Sequence, residues 1–156
     1  MHTLVVLRHA KSAWPADVAD QDRPLNERGR RDAPAAGRWL SSNAPAIDLA
    51  ICSPAARAVQ TWQLVAAEVS QPEYRLDDRI YDASVERLLD IVRELPDAAS
   101  TVLLIGHNPG LTDLVHTLTS ETIELKTSSI AVLNGPDCWA DINHGATMAG
   151  FETPRG

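Results

Sequence analysis

Residues 4–12, which read LVVLRHAKS, decide the fold. The first four form a continuous apolar run, which is typical of a parallel strand buried on both faces. The run ends abruptly in Arg8, His9 and Lys11. Ligands bind at the carboxyl ends of parallel strands, and a guanidinium fork matches phosphate oxygens. The stretch therefore indicates either an oxyanion site that contains a histidine or a strand end with ordinary solvated charges.

A second apolar segment, residues 48–52, predicts another buried strand. Ser53 and Pro54 follow it, a pair typical of a helix start, and this helix is expected to run to about residue 69. Arg57 falls in its first turn. Because helical side chains lean toward the amino terminus, Arg57 is expected to reach back over the strand end. The alternative is an arginine on the exposed face of the helix.

A third strand, residues 101–105, runs into His107 and Asn108. Strand ends in one parallel sheet lie at one edge, so these side chains should meet those that follow the first two strands. His107 could instead cap the next helix, and Asn108 could be purely a turn residue.

The remaining pattern predicts an α/β three-layer sandwich, with a mostly parallel central sheet and an antiparallel edge. Asn26 is a plausible cap for a helix in which Pro34 predicts a kink or a late start. Ser84 can cap a second helix. Further strands are expected at residues 74–76, 129–133, 139–142 and 146–151.

The composition narrows the possible partners. The 156 residues fit one domain, spanning 1–156, and a net charge of −7 argues against nucleic-acid binding. Residues 1–60 hold eight Lys and Arg against six Asp and Glu, whereas the remainder is strongly acidic. This bias suits a small anionic group bound at a local site, either on a phosphorylated protein or on a small phosphate compound.

The chain has no apolar stretch of membrane-spanning length and no signal-peptide core. Cys52 and Cys138 form no disulfide framework. A cytoplasmic monomer without membrane contact is the resulting expectation.

The chemistry that these residues suit is phosphoryl transfer. The imidazole of His9 would attack phosphorus and form a phosphohistidine, which water then hydrolyses. The residues expected to hold the phosphoryl oxygens or contact the substrate are Arg8, Arg57, His107, Asn108 and Lys11. Asp82 is the best-placed carboxylate to donate a proton, and it could equally be a plain loop residue.

Three motifs resemble the signature of the histidine phosphatase superfamily: residues 7–11 (LRHAK), 52–61 (CSPAARAVQT) and 106–110 (GHNPG). Residues 22–29 (DRPLNERG) and 80–84 (IYDAS) are similar to the SixA-type phosphohistidine phosphatases within it. The resemblance implies a phosphoglycerate-mutase-like fold. It also implies that His9 is phosphorylated and that Arg8, Arg57 and His107 complete the phosphate pocket.

Two departures from that signature bear on the substrate. Ala10 stands where the superfamily usually has glycine, which the SixA type tolerates. The glutamate that donates a proton in mutases and sugar phosphatases has no clear match, and this fits a phosphoramidate, whose leaving nitrogen is protonated from solvent. The alternatives are a small-molecule phosphomonoesterase of the same superfamily and a non-catalytic phosphate-binding module.

No cofactor is expected, because no cluster of Cys and His has metal-site spacing and the arginines already supply positive charge. Phosphatase activity should therefore survive treatment with a chelator. Loss of activity in chelator that one divalent metal restores would contradict this prediction.

Overall fold

The structure, a computed structural model, describes all 156 residues. Its strands and helices are, in chain order, β1 (Thr3–Arg8), α1 (Glu27–Asn43), β2 (Leu49–Cys52), α2 (Ala56–Ala66), β3 (Glu73–Leu76), α3 (Val85–Arg93), β4 (Thr101–Gly106), α4 (Gly110–Thr119), β5 (Ile130–Asn134) and β6 (Thr147–Glu152). Short 3-10 turns cover Asp20–Asp22, Asp78–Ile80 and Trp139–Asp141. None of the helices has the length and apolarity that crossing a membrane requires.

All strands join one sheet in the order β3-β2-β4-β1-β5-β6. The first four strands in that order are mutually parallel, and β5 and β6 continue the sheet antiparallel. The predicted mixed sheet with an antiparallel edge is confirmed.

Helices cover both faces of the sheet, which explains why β1 is apolar without alternation. Leu4 and Val6 belong to the core shared with α3 and α4. Val5 and Leu7 belong to the core shared with α1 and α2. All four are fully buried, and burying a side chain of this size contributes about 1.5–3 kcal/mol. The three-layer arrangement is therefore confirmed.

Helix α1 begins at Glu27, so the late start that Pro34 suggested is wrong. Asn26 caps the helix, accepting a hydrogen bond from the amide of Gly29 at 2.9 Å. Pro34 lies inside the helix and donates no hydrogen bond to the carbonyl of Arg30. Arg30 is exposed, so water can satisfy that carbonyl.

Helix α2 begins later than predicted, at Ala56, and ends at Ala66. Ser53 is buried and does not cap the helix; its hydroxyl accepts from the amide of Ala55 and bonds to the ring of His107 instead. Ser53 therefore makes a hydrogen bond to the buried ring of His107 in place of the helix cap that the Ser53-Pro54 pair predicts.

The expected strand at residues 139–142 is also wrong, since Trp139–Asp141 is a 3-10 turn. The indole of Trp139 is buried, donates to the carbonyl of Ala99 at 2.8 Å and stacks on His2. Tertiary contacts of one large side chain thus override the strand propensity of its segment.

Candidate active site

The carboxyl ends of β1, β2 and β4 lie side by side, as their registers require. Arg8 pairs with Gly106, and Cys52 pairs with Ile105. The residues that follow these strands surround a cavity of about 210 Å³. Its lining comprises Arg8, His9, Lys11, Ser12, Trp14, Arg23, Arg57, His107, Asn108 and Thr127. The predicted convergence of three strand ends is confirmed, whereas Asp82 does not line the cavity.

His9 is buried and held in one orientation. Its Nδ1 lies 2.7 Å from the carbonyl oxygen of Ala10, which can only accept a hydrogen bond. In the neutral ring Nδ1 therefore carries the proton, and Nε2 keeps its lone pair. Burial is the main cause that lowers the pKa of His9 to about 3, and positive charge from His107 and Arg57 acts in the same direction. The ring is thus neutral, with Nε2 free to act as a nucleophile, at physiological pH.

An NMR titration of the His9 ring checks this electrostatic argument. Because the pKa of His9 is about 3, we expect the ring to remain neutral from pH 8 down to pH 5, in contrast to free histidine, which titrates at about 6.5. Protonation would remove the lone pair only below that range. A midpoint between pH 6 and 7 assigned to His9 would contradict the prediction.

Two guanidinium groups flank the histidine. Arg57, in the first turn of α2, is buried and reaches the cavity, so the exposed-helix alternative is excluded. Arg8 donates from Nη1 to the carbonyl of Leu125 at 3.0 Å, and burial lowers its pKa. The Nε atoms of both arginines are buried without a hydrogen-bond partner. Each guanidinium has five N–H donors, so both arginines keep N–H groups beyond these bonds that can hold an anion.

His107 lies next to the His9 ring, with their centroids 5.1 Å apart. Its Nε2 lies 2.7 Å from the hydroxyl of Ser53, and its Nδ1 is buried and unpaired. Burial, followed by the positive charge of Arg57, lowers the pKa of His107 to about 4. The side chain does not cap α4, which excludes that alternative.

Asn108 and Lys11, the two other predicted substrate contacts, differ in whether their polar groups are already hydrogen-bonded within the protein. The amide of Asn108 accepts from the backbone and hydroxyl of Thr112 and donates to the carbonyl of Leu125 at 2.6 Å. These bonds favour the turn role for Asn108. Lys11 is exposed at the cavity, so its ammonium remains available to a ligand.

Asp20 is a carboxylate that the sequence interpretation missed. Its side chain accepts hydrogen bonds from Arg57 at 3.0 Å, from Arg23 at 3.1 Å and from the hydroxyl of Tyr81. The bond from Tyr81 first, and then those from Arg57 and Arg23, hold the pKa of Asp20 well below its usual range. Asp20 is therefore ionised and orients Arg57.

Asp82 is exposed, and its backbone adopts a left-handed φ of 53°. Its neighbour Tyr81 contacts the site instead, edge-on to the ring of His107.

Nowhere in the chain do three His, Cys, Asp or Glu side chains cluster as a metal site would need.

A neutral imidazole among cations, at the carboxyl ends of parallel strands where α/β proteins bind ligands, can accept a phosphoryl group while the cations stabilise its charge. Residues 4–97 match the family described as the histidine phosphatase superfamily (branch 1). The chain belongs to that superfamily.

Similar proteins agree with this assignment. An uncharacterized protein of Mycobacterium tuberculosis is 40% identical over 161 residues, covering 96% of this chain and 100% of the relative. A solved structure of a candidate phosphohistidine phosphatase SixA from Nakamurella multipartitia has a TM-score of 0.89 at 34% identity, covering 98% of this chain and 96% of that chain. A SixA candidate from Agrobacterium tumefaciens has a TM-score of 0.81 at 27% identity, covering 98% of this chain and 99% of that chain. The superfamily and these neighbours support phosphatase activity.

Proposed function

We propose that the protein is a phosphatase that transfers a phosphoryl group to Nε2 of His9 and acts on phosphohistidine in proteins or on related phosphoramidates. The observation that carries the proposal is the geometry of His9. The bond from Nδ1 to Ala10 leaves Nε2 unprotonated, and the ring lies beside Arg57 and His107 in one small cavity.

In the first step a bond forms between Nε2 of His9 and phosphorus while the bond from phosphorus to the leaving nitrogen breaks. Arg8 and Arg57 stabilise the charge on the phosphoryl oxygens. The hydroxyl of Ser53 already accepts from the amide of Ala55, so its own hydrogen is available to Nε2 of His107. His107 then carries its proton on Nδ1 and can donate to an oxygen. In the second step water attacks phosphorus and releases His9.

The choice of a phosphoramidate depends on the shortage of proton donors. Asp20 is ionised and occupied by three donors, and Asp82 is exposed outside the cavity lining. An alkoxide leaving group needs an acid, whereas a leaving nitrogen is readily protonated from solvent. The site therefore suits P–N bonds better than alkyl phosphate esters.

The size of the cavity supports a protein substrate. Its volume of about 210 Å³ is below the range of about 300–1,000 Å³ that encloses a drug-sized ligand. A phosphoryl group and the atoms next to it fit, and the rest of the substrate must stay outside.

The single-domain organisation, monomeric state and cytoplasmic location stay predictions.

A turnover panel tests the proposal with phosphohistidine protein, phosphoramidate, phosphoserine peptide and sugar phosphates. We expect kcat/KM to be highest for the two P–N substrates. Preference for a sugar phosphate would instead favour the small-molecule phosphomonoesterase. Phosphate binding without turnover of any substrate would favour the binding module.

The variant Asp82→Asn is expected to leave turnover of phosphohistidine and phosphoramidate unchanged, because the exposed carboxyl is not needed for a nitrogen leaving group. The measurement is kcat/KM on these substrates and on an alkyl phosphate. A loss of roughly 10²-fold or more confined to the alkyl phosphate would identify Asp82 as a proton donor.

A further inference from the structure

Trp14 is a large apolar side chain that the phosphoryl chemistry does not use. It lines the same cavity as His9 and Arg57, yet 76% of its surface is exposed. Apart from the two histidines it is the only aromatic residue in that lining. An exposed tryptophan at the mouth of a polar cavity offers a ring face to whatever enters.

The indole of Trp14 is fixed in place before any substrate arrives. The guanidinium carbon of Arg23 lies 3.5 Å from the ring centroid, against one face of the indole. Arg23 is itself buried and held by Ser12 at 2.8 Å, by the carbonyl of Ala13 at 3.1 Å and by Asp20 at 3.1 Å. A preorganised ring loses little freedom on binding, so stacking on its other face contributes efficiently to affinity.

We propose that Trp14 is a stacking subsite for a planar aromatic leaving group bonded directly to the phosphoryl group, and this rests on the proposed function. In-line displacement places the leaving group opposite His9, on the open side of the cavity. The imidazole of phosphohistidine and the phenol of an aryl phosphate share the required planarity. Imidazole fits better because solvent protonates the ring nitrogen that does not carry phosphorus. The ring is then a cation while it is still bonded to phosphorus and leaves as neutral imidazole, and the face of an indole attracts cations.

The test compares three substrates: phosphohistidine, whose leaving group is imidazole; phosphoramidate, which has the same P–N bond without a ring; and p-nitrophenyl phosphate. Trp14→Ala is expected to lower kcat/KM for phosphohistidine by roughly 2- to 12-fold, the effect of losing one stacking pair, and to leave phosphoramidate unchanged. Trp14→Phe should retain most of the activity. Val18→Ala is the matched control, since Val18 is exposed in the same loop but does not line the cavity.

The comparison with p-nitrophenyl phosphate shows whether Trp14 stacks on imidazole, on a phenol ring or on both. If Trp14→Ala lowers kcat/KM for both phosphohistidine and p-nitrophenyl phosphate, Trp14 is a general aromatic subsite. If it lowers kcat/KM for only one of them, the subsite is for that ring. Equal loss on phosphoramidate would overturn the proposal, because Trp14 would then act through Arg23 on the phosphate pocket. No loss on any substrate would also overturn it.

The failure of the subsite is distinguishable from the failure of the proposed function. Wild-type protein that hydrolyses neither P–N substrate contradicts the phosphohistidine phosphatase, whatever Trp14 does. The aryl phosphate arm then still decides whether Trp14 stacks on an aromatic leaving group.

Discussion

The variant His9→Ala is expected to abolish both turnover and covalent labelling by phosphorylated substrate. No other imidazole can replace it, because Nε2 of His107 accepts from the hydroxyl of Ser53 at 2.7 Å and its Nδ1 carries the proton, so neither nitrogen offers a lone pair to phosphorus. The loss of kcat should be at least about 10³-fold, as for removal of other catalytic nucleophiles. Labelled substrate quenched rapidly in base should leave phosphate on His9 of the wild-type protein only.

Two controls separate chemistry from folding and binding. A phosphohistidine is labile to acid and stable to base, so an acid quench should remove the label. His9→Ala should still bind inorganic phosphate, since Arg8, Arg57 and His107 remain. His144→Ala, which replaces an exposed histidine, should label normally. Turnover by His9→Ala near the wild-type rate would show that another group is the nucleophile.

The sequence predicts the sheet well because its signals are strong and local. An uninterrupted apolar run such as Leu4 to Leu7 has no stable place except between two layers of helices. Three such runs that end in Arg, His or polar residues must converge wherever the strands are parallel and adjacent. The sequence also predicts the helix caps Asn26 and Ser84, and both side chains accept the expected hydrogen bond from a backbone amide.

Errors arose where a distant contact outweighed a local preference. Ser53 bonds to His107, which lies far along the chain, so it is unavailable as a cap for α2. Trp139 is drawn into the core and bends its segment into a turn. No local pattern encodes either partner.

The missed site residues lie in the loop before α1, where no periodicity fixes the direction of side chains. Arg23 pairs with Asp20 across the 3-10 turn Asp20–Asp22, whereas Trp14 meets Arg23 only because the loop folds back on itself. The sequence offered two signals for Arg23: its place in the motif of residues 22–29 and the proline that follows it. Neither one places the guanidinium. Asp82 was predicted from its position in the chain as a proton donor, but its neighbour Tyr81 faces the site instead.

The variant Arg57→Lys is expected to weaken phosphate binding and to lower kcat/KM by roughly 10²-fold, a loss typical of one transition-state donor. In the wild-type protein Nη1 of Arg57 donates to the carbonyl of Asp20 at 2.7 Å, and Nη2 donates to its carboxylate at 3.0 Å. The planar fork can hold Asp20 and still present hydrogens to a phosphoryl oxygen. An ammonium has no such fixed geometry, so it either remains with Asp20 or turns to the ligand.

The measurements for Arg57→Lys are the dissociation constant of inorganic phosphate and kcat/KM on phosphoramidate, a substrate that does not involve Trp14. Arg38→Lys is the matched control, because Arg38 is exposed on α1 and pairs with Glu68 at 3.7 Å. It should change neither value. The positive charge is retained in Arg57→Lys, and both proteins are assayed below their thermal midpoints, so a loss of activity reports on geometry. Wild-type binding and turnover in Arg57→Lys would remove Arg57 from the phosphate pocket.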